Sequence, residues 1–148
     1  MHFQTPPDVC AYMCSLLKPY DVETVLEPTP GVGNLVRALT GYAVAAPDDF
    51  WALPEDSKFD AVVMNPPFTP MVVGYDILFK CMEMAPVVIA LMPWLTIINS
   101  ERRSTALVDY GLKSITHLPR KAFKGSRVQT CILELAKGYS ATCEFKLY

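Results

Sequence analysis

Short apolar runs alternate along the chain with longer segments that carry helical spacing. The run VVIALMP (87–93) is continuously apolar, which is typical of a parallel strand covered on both faces. Further strands are predicted at TVLEP, YAVAA, FDAVVMN and KSITHLP, with VQTCILELAK and ATCEFKLY as a closing pair. Helices are predicted over 7–17, 33–40, 73–84 and 100–110. This alternation predicts an α/β, doubly wound sheet that is mostly parallel with an antiparallel edge strand.

Thr5 precedes the first predicted helix, and two prolines follow it. Prolines are tolerated in the first turn of a helix, and a threonine hydroxyl can accept a bond from an amide of that turn. We therefore expect Thr5 as a helix N-cap.

The composition is that of an ordinary globular domain. The 148 residues are 51% hydrophobic and 19% charged, with no repeat or linker-like run, so residues 1–148 are expected to form one domain. No apolar run approaches the roughly 18 residues of a membrane span, and the start lacks the pattern of a signal peptide. We expect a cytoplasmic protein with no membrane association.

The five cysteines form no CxxC pair, and their number is odd. This favours reduced thiols over a disulfide framework or a zinc site, so no metal is expected.

The charges are unevenly distributed, although the net charge is only −2. Residues 102–127 hold seven basic residues and one acid, Asp109. Such a segment can attract phosphate groups in a chain that is acidic overall, but it can equally be a solvated surface.

A glycine loop, VLEPTPGVGNLV, lies between a predicted strand and a predicted helix. Gly31 and Gly33 would let the backbone approach a nucleotide or cofactor, although a plain tight turn explains them equally well. The missing third glycine and the absence of GK[ST] argue against dinucleotide and P-loop sites. Glu27 would face the polar edge of a cofactor, or would be a capping or surface carboxylate.

The segment DAVVMNPPF (60–68) runs an apolar strand into two prolines. Each proline fixes φ and removes a backbone donor, so the neighbouring carbonyls cannot all be used by a sheet ladder. These carbonyls are therefore candidates for binding something else.

The order TPPDVCAYM, LEPTPGVG and DAVVMNPPF resembles the S-adenosylmethionine-dependent DNA adenine-N6 methyltransferases, in particular the group whose core begins with a Thr-Pro motif. VVIALMPWL, GLKSITHLPRKAF and VQTCILELAKG extend the resemblance over nearly the whole chain. It implies a Rossmann-like methyltransferase sheet, S-adenosylmethionine as cofactor and DNA as substrate.

The resemblance also implies roles for individual residues. The catalytic tetrapeptide would be Asn65, Pro66, Pro67 and Phe68. The cofactor would be bound by Thr5, Pro6, Glu27, Pro28, Gly31, Gly33, Asp48, Asp49 and Phe50. The nucleic acid would contact Phe68, Arg120, Lys121, Lys124 and Arg127.

The chemistry of adenine methylation fits the tetrapeptide. The exocyclic amine is a poor nucleophile, and two fixed acceptors for its N–H bonds favour attack on a methyl group. The Asn65 side-chain oxygen and the Pro66 carbonyl can be those acceptors, while Phe68 offers a face for the base. On duplex DNA this requires base flipping.

Two departures from the family pattern stand out. Asn65 follows Gly33 by only 32 residues, which predicts a sheet shortened by about one strand-helix unit. The usual acid after YAVAA is absent, so Asp48 or Asp49 must cover the ribose or the adenine edge, with Phe50 or Trp51 against the adenine face.

We expect no target-recognition domain within these 148 residues. Reading of the DNA sequence is therefore expected from a separate specificity subunit or a homodimer, or is weak. Two alternatives remain: a methyltransferase acting on protein glutamine or an RNA amine, and a non-catalytic subunit of a modification complex.

Overall fold

A computed structural model describes residues 4–123 and 128–148. The strands in chain order are β1 (Thr24–Leu26), β2 (Ala43–Ala45), β3 (Ala61–Met64), β4 (Val87–Pro93), β5 (Leu112–Leu118), β6 (Thr130–Ala136) and β7 (Glu144–Leu147). The α-helices are α1 (Pro7–Ser15), α2 (Asn34–Ala38), α3 (Met71–Met84), α4 (Leu95–Ile98) and α5 (Glu101–Tyr110), with 3₁₀ turns at Phe50–Ala52 and Arg120–Ala122.

The seven strands form one sheet in the order β2-β1-β3-β4-β6-β5-β7. β2, β1, β3 and β4 pair in parallel, and β7 pairs in parallel with β5. The predicted α/β class and mostly parallel sheet are confirmed. The carboxyl ends of six strands therefore meet at one edge of the sheet, which we call the carboxyl edge.

The antiparallel strand is β6, which lies between β4 and β5 and pairs with both. The prediction that the last two strands pair with each other is wrong, because β5 separates β6 from β7. Both strands follow β5 in sequence, and each bonds to a different side of it.

The segment between the glycine loop and the tetrapeptide contains few secondary-structure elements. Between Gly33 and Asn65 the chain forms α2, β2 and one 3₁₀ turn before it enters β3. A single strand therefore extends the sheet beyond β1, as the short interval predicts.

The sheet is buried on both faces. α1 and α2 cover one face, where Val63 and Ile89 belong to their core cluster. α3 and α5 cover the other face, where Val62 and Val88 are fully buried. Adjacent residues of β3 and β4 point to opposite faces, which explains why these strands read as unbroken apolar runs.

The predicted role of Thr5 as an N-cap is wrong. Pro6 occupies the N-cap of α1 with extended backbone, and no side chain caps the helix. The Thr5 hydroxyl instead accepts a hydrogen bond from the Asn65 side chain, so tertiary contact replaces the local bond.

Within the described residues, no helix has the length and hydropathy to cross a bilayer. In the same part of the chain, no group of three potential metal-binding side chains comes together. All five cysteines are free thiols, and burial raises the pKa of Cys10 to about 12.

Gly111 ends α5 and provides a test of this fold. Its φ is +139°, and a Cβ there would lie 1.9 Å from the Ala136 carbonyl oxygen. We expect Gly111→Ala to lower the free energy of unfolding by at least about 3 kcal/mol, since the clash is with backbone of β6.

Gly41→Ala is the matched control, because Gly41 has φ +88° but no atom within 4 Å of its Cβ position. This variant should lose only about 1–2 kcal/mol from left-handed strain. Equal losses in chemical denaturation would contradict the packing at Gly111.

Candidate functional site

The tetrapeptide Asn65–Phe68 lies where β3 ends at the carboxyl edge. All four residues of β3 are buried, and Pro66 and Pro67 end the ladder because they have no N–H to donate. Asn65 itself is only 4% exposed. A polar side chain is thus held at the end of the most buried part of the sheet.

The Asn65 amide is oriented by Thr5. Its Nδ2 donates to Thr5 Oγ1 at 2.8 Å, and Thr5 is 3% exposed. The Thr5 carbonyl in turn accepts from Asn34 Nδ2 at 2.8 Å. The bond between Asn65 and Thr5 orients the Asn65 amide so that its NH₂ group faces Thr5. The acceptor atom Oδ1 therefore lies on the other branch of the amide.

The backbone carbonyls of the tetrapeptide have different partners. Thr29 Oγ1 donates to the Asn65 carbonyl at 3.3 Å. The carbonyl of Pro66, a buried residue, receives no hydrogen bond from the described part of the chain. The Pro66 carbonyl oxygen is therefore an acceptor that lies next in sequence to the Asn65 amide and can bind a ligand.

α3 packs against the back of the tetrapeptide. A Cβ on Gly74 would lie 2.9 Å from the Pro67 carbonyl oxygen and 3.5 Å from Pro66 Cγ. Only glycine allows this approach without displacing the backbone, so Gly74 fixes the position of the two prolines.

Glu27 follows β1 and is 2% exposed. Its Oε1 accepts from the Thr29 amide at 2.9 Å. Burial raises the pKa of the Glu27 carboxyl from 4.5 to about 7, although the Thr29 bonds oppose the shift. The burial of Glu27 excludes the surface alternative, and the bond to the Thr29 amide is the local contact that the capping alternative expects. Glu27 also lines a cavity of about 10 Å³ with Thr5 and Asn65.

Both glycines of the glycine loop have positive φ. Gly31 has φ +54° and Gly33 has φ +90°, and the Gly33 amide donates to the Pro30 carbonyl at 2.8 Å. Gly33 is the N-cap of α2. Arg37 closes the loop by donating to the Val32 carbonyl at 2.7 Å.

A cleft of about 430 Å³ opens between the glycine loop and the segment after β2. Its lining includes Pro28, Gly31, Asp48, Asp49 and Phe50, five of the residues that the sequence assigns to a cofactor. The volume is in the range of small-molecule sites, and the position is where open α/β sheets bind ligands.

The two aspartates of the cleft differ in their partners. Asp49 Oδ1 caps the 3₁₀ turn by accepting from the Trp51 amide at 3.1 Å. Asp48 is exposed and bonds to no other described residue. Asp48 is thus the carboxylate that is available to a ligand.

The aromatic residues of the cleft also divide. Phe50 is 6% exposed and belongs to the core, whereas Trp51 is 57% exposed. The two rings pack edge to face, with their centroids 4.9 Å apart. Trp51 therefore presents the larger accessible ring to a ligand.

The remaining predicted residues lie around the cleft and the tetrapeptide. Pro6 starts α1, and Phe68 is half-buried against the core on the α1 face. Arg120 and Lys121 are exposed on the 3₁₀ turn after β5. The predicted contacts Lys124 and Arg127 lie outside the described residues.

Sequence reasoning missed Thr29 and Asn34. Thr29 donates to Glu27 and to the Asn65 carbonyl, and Asn34 donates to the Thr5 carbonyl. Their signal was present, since each is a polar residue beside the glycine loop, but only the tertiary fold identifies their partners.

No protein-family model and no curated protein matches this chain. Solved structures do. A Listeria monocytogenes protein described as a class I S-adenosylmethionine-dependent methyltransferase superimposes with a TM-score of 0.74 at 15% identity, over 97% of this chain and 65% of that one. The chain has a class I methyltransferase fold.

Two further solved structures share this fold. A methyltransferase subunit of a Streptococcus thermophilus type I restriction-modification system gives a TM-score of 0.73 at 16% identity, covering 94% of this chain and 46% of that one. The 23S rRNA methyltransferase ErmE gives 0.66 at 17% identity, covering 92% and 70%. The chain thus spans only 65% of the length of the Listeria monocytogenes protein and 46% of that of the Streptococcus thermophilus subunit.

The raised pKa of Glu27 predicts a pH-dependent stability. Because the folded protein binds this proton more tightly than the unfolded chain, the free energy of unfolding should fall as pH rises from 4.5 to about 7. Glu27→Gln removes the ionisation and should be more stable than wild type at pH 8, by roughly 1–3 kcal/mol.

Denaturation at pH 5 and pH 8, without added ligand, measures the difference. At pH 5 the two proteins should agree closely, since Glu27 is largely protonated there. If the difference in free energy of unfolding between the two proteins does not grow with pH, burial does not raise the pKa of Glu27, and the prediction is contradicted.

Proposed function

We propose that the chain is an S-adenosylmethionine-dependent methyltransferase that acts on the N6 amine of an adenine flipped out of DNA. The observation that carries this proposal is the pair of acceptors at the end of β3, the Asn65 amide and the buried Pro66 carbonyl. An amine presents two N–H donors, which matches two adjacent acceptors.

The cleft supports the cofactor assignment. Asp48 would accept from the ribose hydroxyls, and Trp51 with Phe50 would contact the adenine ring. Glu27 and the positive-φ loop at Gly31 would face the methionyl end. Bound there, S-adenosylmethionine would supply an electrophilic methyl group next to the tetrapeptide.

The chain's own residues would prepare the amine. Asn65 Oδ1 and the Pro66 carbonyl accept its two N–H bonds, which directs the nitrogen lone pair out of the base plane. Thr5 and Gly74 keep these acceptors in place, so little reorganisation is needed during reaction. Phe68 would stack on the extruded base, at a gain of about 1–3 kcal/mol.

Arg120, Lys121, Lys124 and Arg127 would contact phosphates, which position a duplex without reading its sequence. Sequence reading would then come from a separate specificity subunit or from a homodimer. The Streptococcus thermophilus neighbour, named as one subunit of a restriction-modification system, supports a partner of this kind.

The direct test is transfer of tritiated methyl from S-adenosylmethionine to DNA of mixed sequence and, in parallel, to RNA. Label recovered as N6-methyladenine from DNA is expected. Asn65→Ala should lower the rate at least 100-fold, since it removes one fixed acceptor.

Each other outcome has a defined meaning. Label in RNA alone would assign the RNA alternative, which the ErmE neighbour favours. Cofactor binding without transfer to DNA, to RNA or to the proteins of an added cell extract would contradict an enzyme and support a non-catalytic subunit.

The two aspartates give a separate test of the cofactor cleft. We expect Asp48→Asn to weaken S-adenosylmethionine about tenfold, because a charge-assisted acceptor is lost. Asp49→Asn should change it less than about threefold, since asparagine can still cap Trp51. Titration calorimetry measures both, and a larger effect at Asp49 would reverse the assignment.

A further inference from the structure

β7 leaves one side of the sheet open. It pairs with β5, and within residues 4–123 and 128–148 no strand pairs with its outer side. The Tyr148 amide donates to the His117 carbonyl of β5 at 3.1 Å. Since successive residues of a strand alternate, Phe145 and Leu147 direct their N–H and C=O groups outward.

The side chains at this edge are apolar and exposed. Phe145 is 62% exposed and Leu147 is 74% exposed. Phe145 also borders an apolar groove of about 730 Å³ with Ile98, which is 69% exposed. An open strand edge beside contiguous exposed apolar side chains is a surface suited to pairing with another strand.

The charges of β7 are complementary to a second copy of the same strand. When two β7 strands pair antiparallel with Phe145 opposite Phe145, Glu144 lies opposite Lys146 of the partner subunit. The twofold axis repeats this contact, which gives two opposite-charge pairs.

Neighbouring registers are unfavourable. Moving one β7 strand by two residues relative to the other keeps the outward-facing residues paired. In one direction this places Lys146 opposite Lys146, and in the other it places Glu144 opposite Glu144. Like charges directly opposite are destabilising, so the sequence selects one register.

We propose that the outer edge of β7 is a homodimer interface in which two chains pair these strands antiparallel with Phe145 opposite Phe145. The two seven-stranded sheets then form one continuous sheet. The twofold axis is perpendicular to that sheet, so Phe145 of one copy covers Phe145 of the other on one face. Each Leu147 lies on the same face, opposite Cys143 of the other copy.

This arrangement leaves both candidate sites open. Antiparallel pairing turns the two carboxyl edges in opposite directions, so neither copy blocks the tetrapeptide of the other. The inference does not rest on the proposed function, and its test needs neither cofactor nor nucleic acid.

The first measurement is sedimentation velocity of the 148-residue chain from about 1 to 100 μM, a range suited to an interface built on one short strand. We expect a reversible dimer of twice the 16.5 kDa chain mass. A monomer at every concentration would overturn the proposal and leave the edge to a different partner.

Charge exchange then tests the register. Glu144→Lys or Lys146→Glu alone places like charges opposite each other twice, and each should weaken the dimer at least tenfold. The double exchange Glu144→Lys with Lys146→Glu restores opposite pairs and should return to within about threefold of wild type.

The single variants also remove a contact within β7, where Lys146 Nζ lies 3.4 Å from Glu144 Oε1. Thermal unfolding at a concentration where all variants are monomeric controls for this loss. A dimer whose dissociation constant is the same in both single variants and the double exchange would use another surface, which overturns the proposal.

Phe145→Lys is the last variant. It removes the central apolar pair and should abolish the dimer, while circular dichroism should show an unchanged fold because Phe145 lies on an exposed edge. A dimer that persists in this variant would contradict the interface.

Discussion

The hydrogen bond between Thr5 and Asn65 is the contact on which the candidate site depends. It joins residues 60 positions apart, and both are almost completely buried. A buried amide without a partner would cost about 1–3 kcal/mol, so the sheet end and the segment before α1 are held together. The same contact decides which atom of the amide can accept from a ligand.

Further bonds connect this pair to the cofactor side. Asn34 binds the Thr5 carbonyl, while Thr29 binds the Asn65 carbonyl through its hydroxyl and Glu27 through its amide. Four separate segments thus meet in one hydrogen-bonded polar group at the carboxyl edge. Thr5, Glu27 and Asn65 are buried in it, and Thr29 and Asn34 are half-buried. These bonds connect the glycine loop, the segment before α1 and the tetrapeptide.

The sequence predicted the parts of the fold that local chemistry determines. Unbroken apolar runs identified β3 and β4, the glycines predicted a turn between β1 and α2, and the prolines predicted where β3 ends. These features follow from burial on two faces and from backbone freedom. The family resemblance assigned a cofactor role to five residues that the structure places around one cleft.

Non-local contacts account for what the sequence could not predict. Thr5 satisfies the local rule for an N-cap but makes a better bond to a residue far along the chain. The position of β6 between β4 and β5 depends on which edge each strand meets, and no local pattern records that. Asp48 and Asp49 are equivalent in sequence until the turn shows that only Asp49 caps it.

The most direct test of this account compares the rate of methyl transfer in Thr5→Ser and Thr5→Val. Serine keeps the hydroxyl that accepts from Asn65, whereas valine keeps the shape and removes it. We expect a near wild-type rate for Thr5→Ser and a loss of about 10- to 100-fold for Thr5→Val, with cofactor affinity changed much less. Equal rates in the two variants would contradict the central role of this bond.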